Sequence, residues 1–339
     1  MSKNCVLDIG GTNFRCGLYD NLTVTHIKKI PTPNFYKYGT EKEIREELVK
    51  SIVAAIQEKK AEHNELSRLG IAFAGPVNIK GDVISSSVIF GNVLSEPFPL
   101  KKELILELKK QGISLETIIL TNDITASAWR YSDRGYDPFC LITVSSGIGN
   151  KIFAKGEVLI DERGIAGEIG HYGVELPGIS IPCSCGWGNN HIGMIASGRG
   201  IENMAKFFAN ETGKYRSLFL TSAIANDTRV NKNFNLLKSE WIAEYADRHD
   251  LFPRMVIDFC TQPLSDAICL LSLAMCLKKF VFIGGFVLNC DYYLEALKRN
   301  LIIKGMYNFS AHDIEETIIL GEKDDDHALI GLGKLLDKN

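Results

Sequence analysis

Asp8 stands at the end of an apolar run and is followed by Gly10, Gly11 and Thr12. Glycines let backbone N–H groups approach an anion without a Cβ in the way, and Thr12 adds a hydroxyl donor. Asp8 is then suited to hold a water of hydrated Mg2+. A second loop, residues 143–149, offers Ser145, Ser146 and Gly147 in the same setting, so the two loops together suit one phosphate chain. Taken singly, each is also a turn whose polar side chains bond locally. Neither has the spacing of a Walker A loop, nor Gly-x-Gly-x-x-Gly opening a helix, so P-loop and dinucleotide readings lose weight. His171, Cys183 and Cys185 form a third group, and with a fourth ligand such a set makes a closed tetrahedral zinc site.

The elements that must carry these residues follow from hydrophobic patterning. Residues 6–9, 14–19 and 23–30 read as strands, so the first glycine loop joins two of them. From 43 to 60 apolar residues recur at Ile44, Leu48, Ile52 and Ile56 among Lys and Glu, the pattern of an amphipathic crossover helix. A strand at 69–74 ends at Gly75-Pro76. Strands near 83–89, a helix at 100–110 and a β-rich run at 116–120 lead into Thr121-Asn122-Asp123. The order then repeats: a strand at 139–145, a turn at 146–149, strands at 150–154 and 157–160, helices through 201–277, and a buried strand at 280–283 before Gly284-Gly285. Two such modules predict two α/β domains facing a cleft.

With 339 residues, 45% of them hydrophobic, and a net charge of -3, the composition excludes disorder, collagen-like repeats and coiled coil. That charge supplies no basic field, so neither nucleic acid nor membrane is expected as the main partner; a small molecule is. No stretch reads as the roughly 18–20 apolar residues a bilayer span needs, and no signal-peptide core opens the chain. A cytoplasmic location is expected. The nine cysteines lie mostly in apolar runs and read as buried reduced thiols.

The segments 8–15 (Asp-Ile-Gly-Gly-Thr-Asn-Phe-Arg), Gly75-Pro76, Asn122-Asp123, 167–171 (Gly-Glu-Ile-Gly-His) and 183–186 (Cys-Ser-Cys-Gly), in that order, resemble the ROK family of repressors, open reading frames and sugar kinases. The resemblance spans nearly the whole chain. It implies the actin-like ATPase fold, with two ribonuclease-H-like domains, ATP and a sugar in the cleft between them, and transfer of the γ-phosphoryl to a sugar hydroxyl. By the same resemblance Asp123 is the catalytic base, Asn122, Asn92, Glu168 and His171 contact the acceptor, and Gly284-Gly285 lies on the adenosine side. Chemistry supports an Asp there, because phosphoryl transfer needs a positioned acceptor for the hydroxyl proton. Asn122-Asp123 also fits an N-cap for a helix at 124–130, and both roles are compatible.

Two departures from the family pattern stand out. The third Cys, five residues after the second, is here Asn190; either His191 replaces it as the fourth ligand or the zinc site is lost. Two residues further on the family carries a Glu near the anomeric carbon, and that position reads as Ile192. Losing this acceptor weakens binding of a hydroxyl that needed it, so the substrate is expected to differ at that end, as a cyclitol or an amino sugar does.

The domain expectation is a small domain of 1–121 plus a C-terminal helix at 325–339, and a large domain of 122–324 that offers a homodimer surface. A repressor needs some tens of residues of helix-turn-helix before Asp8. A non-catalytic sugar sensor is the competing class, and an actin-like ATPase with a protein partner would lack the 167–186 motifs.

Overall fold

The computed structural model describes every residue except 1–3, 64, 92, 93 and 184. It divides into two compact units, the first made of 1–135, 156–166 and 324–339, the second of 136–155 and 167–323.

In the first unit β1 (Asn4–Ile9), β2 (Asn13–Asp20), β3 (Thr23–Pro31), β4 (Arg68–Phe73) and β5 (Thr117–Asn122) form a sheet in the order β3-β2-β1-β4-β5. β1 pairs antiparallel with β2 and parallel with β4. Both faces are covered. Cys5, Leu7 and Ile9 pack on one side with the helix Glu41–Glu62 and the helix Leu100–Lys110. Val6 points the other way, among Tyr19, Ala126, Leu329, Leu332 and Leu336. This period of two puts Asp8 on the Val6 side. There the helices Asp123–Trp129 and His327–Lys338 lie close together, and a Cβ at Gly331 would stand 1.8 Å from the Ala126 carbonyl oxygen.

That contact explains a correction. The unit boundary falls after residue 135 rather than at 121, because the helix after Asp123 is held by the C-terminal helix and stays with the first sheet. The C-terminal helix belongs to the first unit. The short strand β8 (Glu157–Val158) lies in the 156–166 segment of that unit. Residues 83–89 are not a strand: they hold isolated bridges of Val83 to Val77 and Phe98, and a single helical turn begins at Ser87.

In the second unit β6 (Phe139–Val144) pairs antiparallel with β7 (Ile148–Ala154) and parallel with β9 (Lys279–Ile283), and β10 (Ile318–Leu320) extends β9. The order β10-β9-β6-β7 repeats β5-β4-β1-β2 of the first unit. β10 has no counterpart in the sequence-based expectation. The helix Leu251–Met275 also corrects one: it is long and apolar enough, by length and composition, to cross a membrane. It packs as a core helix, with Phe252, Val256, Cys260, Leu264 and Ile268 buried and Asp258 bonded to Tyr292 and Arg299.

Candidate functional site

In the first unit the base candidate sits where a strand hands over to a helix. The Asn122 side-chain oxygen accepts from Ile124 N at 3.0 Å and Thr125 N at 3.1 Å, capping the helix. Its amide donates to the Gly75 carbonyl at 3.1 Å and to the Asp123 carboxylate at 2.7 Å. The side chain of Asn122 is therefore committed to the cap, to Gly75 and to fixing Asp123. Desolvation, with the nearby Asp8 carboxylate adding to it, pushes the Asp123 carboxyl up to about 7, against the opposing N–H bonds of Ile124 and Asn122. A carboxyl poised near neutrality matches a general base working at that pH.

Asp8 is also raised by burial, opposed by Arg15, whose guanidinium meets it at 2.8 Å and reaches Asp326 at 3.0 Å. Arg15 lies in the motif that carries the resemblance, but its link to a residue more than 300 positions away is invisible in sequence. Gly10 and Gly11 form the turn beside Asp8, and Val88 packs directly on Gly11, 2.8 Å from where a Cβ would be. Asn92 lies outside the described residues.

In the second unit Ser145, Ser146 and Gly147 are exposed at the β6–β7 turn, and a Cβ at Gly147 would meet nothing within 4 Å. Gly284 needs a positive φ of 105° and lies against Thr143 and Val144; Gly285 follows beside Ser145. These loops and the start of the helix Gly198–Asn210 open a cavity of about 710 Å³, lined also by Arg199, Glu202, Ser239, Glu240, Phe286 and Asn289. The sequence reading found its glycines and serines but not Arg199, Glu202 or Ser239, which come from two helices without motif spacing.

Glu168 and His171 lie on a segment held to β7 by Asn150, whose side chain accepts from Ile169 N at 3.1 Å. Partial desolvation raises the Glu168 carboxyl, and Lys151 and then His171 oppose it. His171, Cys183, Cys185 and His191 converge, their ligand atoms all within 4.8 Å of one another. The two Nδ1 atoms are 3.4 Å apart; Cys183 Sγ is 3.7 Å from His171 Nδ1 and Cys185 Sγ 3.5 Å from His191 Nδ1. Zinc bond lengths of about 2.0–2.1 Å to N and about 2.3 Å to S give tetrahedral N–N and N–S edges of about 3.4 Å and about 3.6 Å, which these three distances match, so two imidazoles and two thiols suit the ion in type and in these spacings. Burial and His171 lower the His191 pKa.

Asn190 explains why a histidine one residue late reaches this cluster. Its side chain accepts from Ile181 N and donates to the Ile179 carbonyl, both at 2.7 Å, and its φ of 52° turns the chain so that His191 enters the cluster. Counting two on from His191 arrives at Gly193, not Ile192, whose side chain is fully buried in the core. A Cβ at Gly193 would stand 3.1 Å from the Gly170 carbonyl oxygen. Trp187 beside the cluster is 91% exposed.

Two sheets of repeated strand order, each with a polar glycine loop after its first strand, define an α/β chain of the actin-like ATPase fold. The crystal structure of a ROK family glucokinase from Streptomyces griseus, in complex with glucose and AMPPNP, matches with a TM-score of 0.71 at 22% identity, over 99% of this chain and 100% of that one. The ROK family model matches residues 5–339, and the chain belongs to the ROK family. Among relatives, the C(7)-cyclitol 7-kinase of Streptomyces hygroscopicus subsp. limoneus is 34% identical over 97% of this chain and 92% of its own. The glucokinase of Halalkalibacterium halodurans is 29% identical over 70% of this chain and 67% of its own.

Proposed function

We propose that the chain is an ATP-dependent kinase that phosphorylates a hydroxyl of a small cyclic polyol, a cyclitol in preference to a plain hexose. The observation that carries the acceptor is the 34% identity over 97% of the chain to a C(7)-cyclitol 7-kinase. Gly193 in place of a carboxylate agrees with it, because an acceptor without an anomeric hydroxyl needs no partner there.

In this reading Asp123 takes the proton of the acceptor hydroxyl as its oxygen bonds to the γ-phosphorus and the bond to the bridging oxygen of ADP breaks. Asn122 holds Asp123 in place. The N–H groups of Gly11, Thr12, Ser146 and Gly147 and the hydroxyls of Thr12, Ser145 and Ser146 take up charge on the phosphates, while Gly10 shapes the first turn, its own N–H donating to the Asn13 carbonyl at 3.1 Å. Asp8 would hold Mg2+ through water, an ion that neutralises developing phosphate charge. Gly284 and Gly285 border the cavity that suits the nucleoside, and Asn92, Glu168 and His171 serve the acceptor. His171, Cys183, Cys185 and His191 would hold a structural Zn2+ that ties the 171–191 segment together. A kinase of this kind works in the cytoplasm on free small molecules, and a homodimer through the second unit completes the proposal.

The test is ADP release from Mg-ATP with cyclitols, amino sugars and hexoses, for wild type and Asp123→Asn. Release with a cyclitol that vanishes in the variant supports the reading. Faster turnover of glucose than of any cyclitol overturns the acceptor, and nucleotide binding without release for any acceptor favours a sensor.

A further inference from the structure

Three consecutive carbonyls of the first glycine loop are held from behind. The Thr32 hydroxyl donates to the Gly10 carbonyl at 2.8 Å, the Asn34 side-chain amide donates to the Gly11 carbonyl at 2.7 Å, and Thr32 N donates to the Thr12 carbonyl at 2.9 Å. Thr32 and Asn34 are buried polar residues, 0% and 4% exposed. In a planar trans peptide the carbonyl and the following N–H point in opposite directions. Fixing the carbonyls of Gly10 and Gly11 therefore aims the N–H groups of Gly11 and Thr12 away from Thr32 and Asn34. Among the described residues neither N–H meets an acceptor.

The second loop repeats the device with different residues. Gly198 N donates to the Ser145 carbonyl at 2.8 Å, which turns the N–H of Ser146 outward; the Ser197 hydroxyl shares its proton between the Gly193 carbonyl at 2.5 Å and the Ser146 carbonyl at 3.1 Å. Two loops in topologically equivalent places thus share one arrangement, although nothing in their flanking sequence is alike.

We infer that Thr32 and Asn34 are positioning residues for phosphate binding, setting the direction of the Gly11 and Thr12 donors without touching the ligand themselves. The inference rests on the kinase reading of the same loop. It extends to the acceptor side: Phe35, next to Asn34, donates its N–H to the Ile89 carbonyl at 2.9 Å and lays its ring on Gly91, the residue before Asn92. One short segment thus braces both the phosphate loop and the turn at Gly91. Preorganised donors matter because reorienting a peptide during the reaction would cost what the donor gains.

Asn34→Leu removes the donor to Gly11 without adding a charge near the phosphates. The Tyr36 N–H that donates to the Asn34 side-chain oxygen at 3.2 Å belongs to an exposed residue and can turn to water. Binding of AMPPNP and of adenosine is measured by calorimetry, alongside kcat and KM for ATP. The expected result for Asn34→Leu and Thr32→Val is AMPPNP affinity weaker by about 10- to 100-fold and kcat/KM lower by a similar factor. Adenosine affinity stays near wild type even where the unpaired carbonyl lowers the melting temperature by a few degrees, and Thr32→Ser restores nucleotide binding. AMPPNP affinity within about twofold of wild type in both variants overturns the inference, as does an equal loss for adenosine, which marks general damage. Wild type that binds AMPPNP but phosphorylates no acceptor refutes the kinase and leaves the positioning role standing.

Discussion

Replacing Asp123 by Asn removes a charge from a place that resists it, so the variant should be more stable than wild type while losing its activity. The carboxyl is displaced from 3.8 to about 7 by desolvation and by Asp8. A group whose folded pKa lies above its unfolded one destabilises the fold as pH rises between the two values, because the unfolded chain releases the proton first. The gap is absent below about pH 4, grows through the interval, and levels off above about pH 7 at roughly three units, or about 4 kcal/mol. Asparagine keeps the acceptor for Asn122 and Ile124 and carries no charge, so it recovers most of that amount. For a unit of about 160 residues, 1 kcal/mol moves the midpoint by roughly 2–4 °C, so a rise near 10 °C at pH 8 is expected. Thermal melts of both proteins from pH 4 to 8.5 test it, beside ADP release at each pH. Wild-type kcat/KM should fall tenfold per unit below about pH 7, as the base becomes protonated. Equal melting curves at every pH would refute the buried-charge argument, and turnover surviving in the variant would refute the base.

The two glycine loops give opposite expectations for one methyl group. Gly11→Ala puts a Cβ 2.8 Å from Val88, so melts should show a loss of roughly 1–3 kcal/mol. Gly147→Ala meets nothing within 4 Å, so stability should hold within about 0.5 kcal/mol while KM for ATP rises, seen in initial rates. His191→Ala should take zinc, measured by elemental analysis of untagged protein, from a full equivalent per chain to near none, and lower the melting temperature of the zinc-loaded protein. Trp187→Ala, at a side chain 91% exposed, should leave the melting temperature within error, since little is buried there.

Much of this was legible where chemistry repeats locally. The helix at 100–110 and the strand at 23–30 were readable because their signals, apolar spacing and β-branched residues, are complete within the element. β10 was missed because Ile318–Leu320 is too short for any period and directly follows a helix. The site divides in the same way. Asp8, Asp123 and the glycines announce themselves by type and neighbours. Thr32 and Asn34 do not, since the carbonyls they hold lie more than twenty residues earlier. The one-residue offset that brings His191 rather than residue 190 into the cluster depends on the left-handed turn at Asn190, which only the folded loop reveals.

The closing of the first sheet by residues 324–339 also orders events during synthesis. Val6, Tyr19 and Ala72 leave the ribosome early, yet the leucines that cover them, Leu329, Leu332 and Leu336, emerge more than 250 residues later. At roughly 5–20 residues per second that face stays bare for tens of seconds, long enough to engage a chaperone. A chain cut short near residue 323 lacks the lid on that face, so premature termination yields a species prone to aggregate and be degraded rather than a partly working enzyme.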